Sequence, residues 1–168
     1  MPNAKGILFP PIISILFAFS LLNCSTDRTE QQFVLSKSFT FSVKDAKGMD
    51  LLDPAQPNSF KEAEIKIYYK IDGKLVEVDN QNKDYPHGFH IFKQGDSYRI
   101  AIFLNGDDSK TELPETFIYW NNTNSDKVVA QIDRNNSNTI VSLGKVFLNN
   151  VEIWTAEDNK EPYYIIMK

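Results

Sequence analysis

The chain has 168 residues with 18 basic and 22 acidic side chains, a formal net charge of −4 and a single cysteine. An acidic balance of this kind argues against nucleic acid and anionic headgroups as partners held by charge. One cysteine excludes a disulfide framework.

The first 23 residues read as a removable export leader. One positive side chain, Lys5, precedes an apolar run of 16 residues from Ile7 to Leu22. A membrane-spanning helix needs about 20, and Pro10-Pro11 interrupts the run. The leader ends Leu21-Leu22-Asn23-Cys24, a lipobox in which Leu22 and Asn23 occupy places more often held by Ala, Ser or Gly. Cleavage there makes Cys24 a lipid-bearing N-terminus, so the membrane partner is reached through acyl chains rather than a basic patch. Loss of Lys5 with the leader leaves 17 basic against 22 acidic residues, net −5.

Cys24 and the polar stretch 25–32 (STDRTEQQ) form a lipidated tether, whose eight residues after Cys24 reach about 26 Å when extended. Residues 33–168 form the domain. They contain no cysteine, so the fold rests on its core alone, for which roughly 135 residues suffice.

In chain order, the spacing predicts strands at 33–43, 64–71, 74–78, 87–93, 97–104, 115–120, 127–133, 139–148, 151–155 and 163–167. Apolar and polar residues alternate in many of them, and Asp-Gly, Gln-Gly, Asn-Gly and Asn-Asn pairs fill the gaps. The expected fold class is all-β, an antiparallel sandwich of about nine to ten short strands in a single domain.

Three hairpin registers follow. A turn at Asp72-Gly73 sets Tyr69 against Val76 and Ile67 against Val78, with Tyr68 beside Glu77 and Lys70 facing Leu75. A turn at Gln94-Gly95 sets Ile91 against Tyr98, Phe89 against Ile100 and His90 beside Arg99. A turn at Asn149-Asn150 sets Leu148 against Val151 and Val146 against Ile153, leaving Lys145, Phe147, Glu152 and Trp154 outside.

Several residue groups could carry chemistry. Asp45, Asp50 and Asp53 around Gly48 offer oxygen ligands for a weak structural calcium ion, though Asp and Gly equally suit a solvated turn. His87 and His90 point to opposite faces of a strand and share no acid or thiol cluster. Asp107, Asp108, Glu112 and Glu115 supply carboxylates after Asn105-Gly106, where a charged loop explains them. No nucleophile elbow or phosphate loop occurs, so the chain is not expected to be an enzyme. Alternation sends Tyr68, Phe103, Phe147 and Trp154 outward. Phe147 and Trp154, with Lys145 opposite, form a candidate aromatic patch for a sugar ring or a protein partner, unless another segment covers them.

The lipobox, the stretch Val43 to Pro54, the segment Ile65 to Tyr69 and the ending Lys145 to Trp154 together resemble the small uncharacterised lipoproteins of the Bacteroidetes. The resemblance implies an outer-membrane lipoprotein with an immunoglobulin-like β-sandwich and brings no activity. Ser25 beside Cys24 does not resemble the inner-membrane retention signal. The expected role is lipid-anchored, non-catalytic binding or structural support in the cell envelope. A surface glycan-binding module is the alternative, and a small hydrolase a third reading.

Overall fold

The computed structural model describes residues 37–106, 111–134 and 141–168; the leader, Cys24, the tether, Asp107 and Asp108 lie outside the described residues. No helix among the described residues is long and apolar enough to cross a membrane.

Alternating side chains build ten strands among the described residues. They are β1 (Ser38–Lys44), β2 (Lys66–Ile71), β3 (Lys74–Glu77), β4 (Phe89–Gln94), β5 (Ser97–Phe103), β6 (Glu115–Tyr119), β7 (Ser125–Arg134), β8 (Val141–Leu148), β9 (Val151–Thr155) and β10 (Tyr163–Met167). One sheet has the order β10-β1-β5-β4 and the other β3-β2-β6-β7-β8-β9. Neighbours are antiparallel except β1 and β10, which run parallel with Thr40 beside Tyr163 and Val43 beside Ile166.

The two sheets share one core. Phe39, Phe41, Val43, Ile100 and Ile102 from the first meet Ile67, Ile118, Val128 and Val146 from the second. Trp120 is fully buried and stacks on Phe60 at 5.4 Å. Every member of this cluster among the described residues lies between Phe39 and Ile166, within the compact unit Gln31–Lys168.

The first hairpin has the expected register, with Tyr68 opposite Glu77, Tyr69 opposite Val76 and Lys70 opposite Leu75. Asp72 and Gly73 both have positive φ, as a type I′ turn requires.

The second hairpin corrects the expectation. His90 lies opposite Ala101 rather than Arg99, Ile91 opposite Ile100 and Phe89 opposite Ile102. The turn is Gly95-Asp96, and Gly95 alone has positive φ. That is the type II′ pattern, which takes Gly at its first central position. The slip of two residues keeps each side chain on its expected face and changes only its neighbour.

The third hairpin begins as expected, with Leu148 opposite Val151 and Phe147 opposite Glu152. A bulge then intervenes, and Val146 pairs with Trp154 instead of Ile153. One extra residue turns the rest of a strand over. Trp154 is therefore rotated onto the inward face of β9, against Phe39 at 5.9 Å in an edge-to-face contact.

Candidate functional site

A cleft forms where the β3–β4 connection folds back over β4 and β5. Backbone bonds close this connection on itself: Asn80 N–H donates to Pro86 O at 2.8 Å and Gly88 N–H to Tyr85 O at 3.1 Å. Gly88, with φ +76, makes the bend into β4. It also lies across from Phe103, whose N–H donates to Gly88 O at 2.9 Å. A Cβ at Gly88 would lie 2.9 Å from Val78 Cγ1, so the bend is made where no side chain fits.

The result is a ring stack on the outer face of the four-stranded sheet. Tyr85 stacks on His90 at 4.2 Å and 18°, and on Phe103 at 5.6 Å and 23°. Phe92 continues the stack from His90 at 5.2 Å. Tyr85 stays 41% exposed despite these contacts. His90 Nδ1 is buried and has no hydrogen-bond partner among the described residues.

Beside the stack opens a cleft of about 500 Å³. Tyr69, Val78, Phe103 and Leu104 provide its apolar lining, and Lys37, Asn82, Lys83 and Asp84 its polar groups. The Tyr69 hydroxyl donates to Phe103 O at 2.7 Å, which ties β2 of one sheet to the end of β5 of the other. A few convergent polar groups over an apolar surface are the ordinary make-up of a small-ligand site. A second pocket of about 240 Å³ includes Lys70 and Glu115, which pair with each other at 2.7 Å.

The outer face of the six-stranded sheet has a different character. Lys66 pairs with Glu77 at 3.0 Å, Glu115 with Lys70 and Lys127 at 2.7 and 3.6 Å, and Lys145 with Glu152 at 3.2 Å. Hydrogen bonds from Lys66 and Tyr68 hold the Glu77 carboxyl below the usual range, while Glu77 raises both of theirs. The bond from Lys70 likewise lowers Glu115. The Lys66, Glu77 and Glu115 shifts come from hydrogen-bonded ion pairs, and the Tyr68 shift from its hydrogen bond to Glu77, on a solvated face.

The residues singled out in the sequence are distributed as follows. Tyr68 faces outward as expected, edge-on to Tyr119 at 5.2 Å and bonded to Glu77 at 3.0 Å. Phe147 is half-buried, and Lys145 faces Thr155 rather than Trp154. Trp154 does not join Phe147 in an outward patch. Its indole N–H donates to Lys160 O at 3.1 Å and its ring packs on the core. That patch is not assembled.

Nor is the calcium cluster. Asp45 accepts from Lys47 N–H and Met49 N–H at 2.9 and 2.8 Å. Asp50 accepts from Leu52 N–H and Tyr98 N–H at 2.9 and 2.7 Å, and Asp53 from Ala55 N–H at 2.9 Å. The three carboxylates cap separate backbone turns. No group of three acidic, His or Cys side chains with metal-binding geometry occurs among the described residues. His87 lies 3.8 Å from Asp79, whereas His90 stacks on Tyr85. Glu112 is exposed.

Sequence reasoning placed Phe103 outward but missed Tyr85, His90 and Phe92 as one unit. Strand alternation puts His90 and Phe92 on one face. Nothing in a periodic pattern reports that a loop residue, Tyr85, returns to cover them.

Comparison with protein-family models, with curated proteins and with solved structures finds no match to this chain.

Proposed function

We propose that this chain is a non-catalytic binding module of the bacterial cell envelope, anchored to the outer membrane through lipid on Cys24, and that the cleft beside Tyr85 takes a saccharide. The observation that carries the ligand class is the ring stack beside that cleft. Tyr85 is 41% exposed, and Asn82, Lys83 and Asp84 line the cleft beside it with polar groups. Sugar rings present an apolar face and a rim of hydroxyls, which matches this pairing of flat ring and polar wall.

Asp84 is the one carboxylate among the described residues lining the cleft. Hydrolysis of a glycosidic bond ordinarily uses two carboxyl groups flanking it, so binding without turnover is the reading we adopt. The anchor rests on the leader and lipobox, and on the resemblance to small Bacteroidetes lipoproteins. An immunoglobulin-like class is part of the same proposal in its broad sense of two facing sheets, antiparallel here except for the β1–β10 pair. The unbroken meander β6-β7-β8-β9 departs from the Greek-key connections of that fold.

The test is binding of soluble residues 31–168, wild type and Tyr85→Ala, to a broad glycan panel. Binding that is lost in the variant supports the saccharide reading. Silence from both overturns it and moves the weight to a protein partner or a structural role. Palmitate labelling of the full chain, lost in Cys24→Ser, tests the anchor separately.

A further inference from the structure

The parallel pairing of β10 with β1 leaves one row of backbone groups open. Thr40 N–H donates to Pro162 O, and Lys168 N–H to Lys44 O, at 3.0 and 2.8 Å. In the register of that ladder, Tyr164 and Ile166 direct both their N–H and C=O toward β1. Tyr163, Ile165 and Met167 therefore turn theirs the other way, toward the open edge of the sheet. β10 ends the strand order, and these three residues have no backbone partner among the described residues.

Edge strands are normally defended by charge, bulges, proline or brevity. The other three edges carry such defences. β3 has four residues and includes Lys74 and Glu77. β9 is broken by its bulge and carries Glu152. β4 carries Lys93 and ends in Gln94. β10 reads Tyr-Tyr-Ile-Ile-Met, with no charge, proline or bulge. Tyr164, Ile165 and Met167 are 37%, 38% and 58% exposed. An extended backbone is the chemistry that such an edge accepts.

We infer that β10 is a homodimer edge, pairing antiparallel with β10 of a second copy about a two-fold axis through Ile165. The register is self-consistent in both respects that matter. Centred on Ile165, the pairing sets Ile165 against its own copy and Tyr163 against Met167. These are the residues whose N–H and C=O point outward, so each such pair exchanges both bonds. The alternate row sets Tyr164 against Ile166. Every cross-strand pair is apolar or aromatic, and no like charges meet. This isologous contact closes on itself and joins the two four-stranded sheets into one continuous sheet.

A five-residue edge makes a small interface, so the dimer forms in a concentration-dependent way. It is independent of the cleft and of the lipid anchor. Where copies are anchored to one membrane, the raised effective concentration favours it.

Sedimentation velocity of residues 31–168 from about 1 to about 200 µM tests this, a range in which a Kd of micromolar order gives a visible transition. The expected result is a shift from monomer to dimer as concentration rises. Ile165→Pro removes an outward N–H without removing any bond to β1, and this variant stays monomeric across the range. Ile165→Lys puts a charge at the two-fold axis and does the same, at unchanged far-UV circular dichroism. It carries the test if proline lowers Tm. Wild type that is monomeric at the highest concentration overturns the inference, as does a dimer that survives both substitutions.

Discussion

The Lys168 ammonium donates to the Asp126 carboxylate at 2.6 Å, with side chains only 16% and 5% exposed. Lys168 follows β10 of the four-stranded sheet, while Asp126 belongs to β7 of the six-stranded one. The pair therefore ties the end of the chain across the two layers. Asp126 also accepts from the Trp120 indole N–H at 2.6 Å and from Asn149 Nδ2 at 2.8 Å. Three donors thus converge on one buried carboxylate.

Burial pushes the Asp126 carboxyl up, but the bonds from Lys168, Asn149 and Trp120 outweigh it and hold the group below the ordinary aspartate value. Removing one member of a buried pair strands the other, so Asp126→Ala costs about 3 kcal/mol, or a Tm drop on the order of 10 °C for a domain of this size. The pH sign follows from the lowered pKa. The stabilisation is present above the unfolded carboxyl's value near 3.9 and is lost as pH falls below that toward the folded value. Thermal melts of wild type fall in Tm below about pH 4. Asp126→Asn, already weakened at neutral pH, shows a flatter acid limb.

Asn105 is a second buried polar clamp, at 0% exposure. Its N–H donates to Thr116 Oγ1 at 2.8 Å, and its Nδ2 to Lys70 O and Glu115 O at 2.9 and 3.2 Å. The end of β5 is thereby bonded to β2 and β6. Asn105→Ala leaves two carbonyls short of a donor and costs about 2 kcal/mol. Thr116→Val removes the acceptor in the same network and costs about 1 kcal/mol. Asn105→Ala keeps the backbone N–H that donates to Thr116, so the double variant costs about the sum of the two. Urea unfolding with an unchanged slope measures all three.

The ten strands were legible from alternation and from the turn pairs between them, with 33–36 and 139–140 of the expected strands lying outside the described residues. The Asp72-Gly73 register was legible because its turn type has a strong signature. Two registers failed for local reasons. Gly95 can open a type II′ turn or close a type I′ turn, and the pattern 89–100 permits both. The bulge on β9 inserts Ile153 with no glycine or charge to announce it, and this alone moved Trp154 from an expected outer patch to the core. The acidic turn after β1 was visible as acidic, but not that each Asp caps its own turn. The cleft was illegible because Lys37, Tyr69, Tyr85 and Phe103 meet only through tertiary folding.

Gly88 and Gly95 separate two costs of replacing glycine. Both have positive φ, +76 and +61. A Cβ at Gly95 meets nothing within 4 Å, whereas one at Gly88 lies 2.9 Å from Val78 Cγ1. Gly95→Ala then costs only the left-handed strain, about 1 kcal/mol. Gly88→Ala adds the clash and costs about 2 to 3 kcal/mol. Since Val78 and Gly88 both line the cleft, Gly88→Ala also weakens any ligand held there, while Gly95→Ala leaves it unchanged. Equal stability losses would show that the Val78 wall yields freely.

Trp154 and Tyr85 part company in the same way between stability and binding. Trp154 packs edge-on to Phe39 and bonds Lys160 O, so Trp154→Ala costs about 2 kcal/mol, less than a fully buried tryptophan because the ring is half-buried. It leaves cleft binding intact. Tyr85 lies on the surface, so Tyr85→Ala changes stability by about 0.5 kcal/mol at most and removes the platform. In a Trp120→Phe background, fluorescence comes from Trp154 alone and iodide quenches it only partly. Full quenching would put the ring in solvent and revive the outer patch with Phe147. A Trp154→Ala variant that lost binding while keeping its Tm would move the site from Tyr85 to β9.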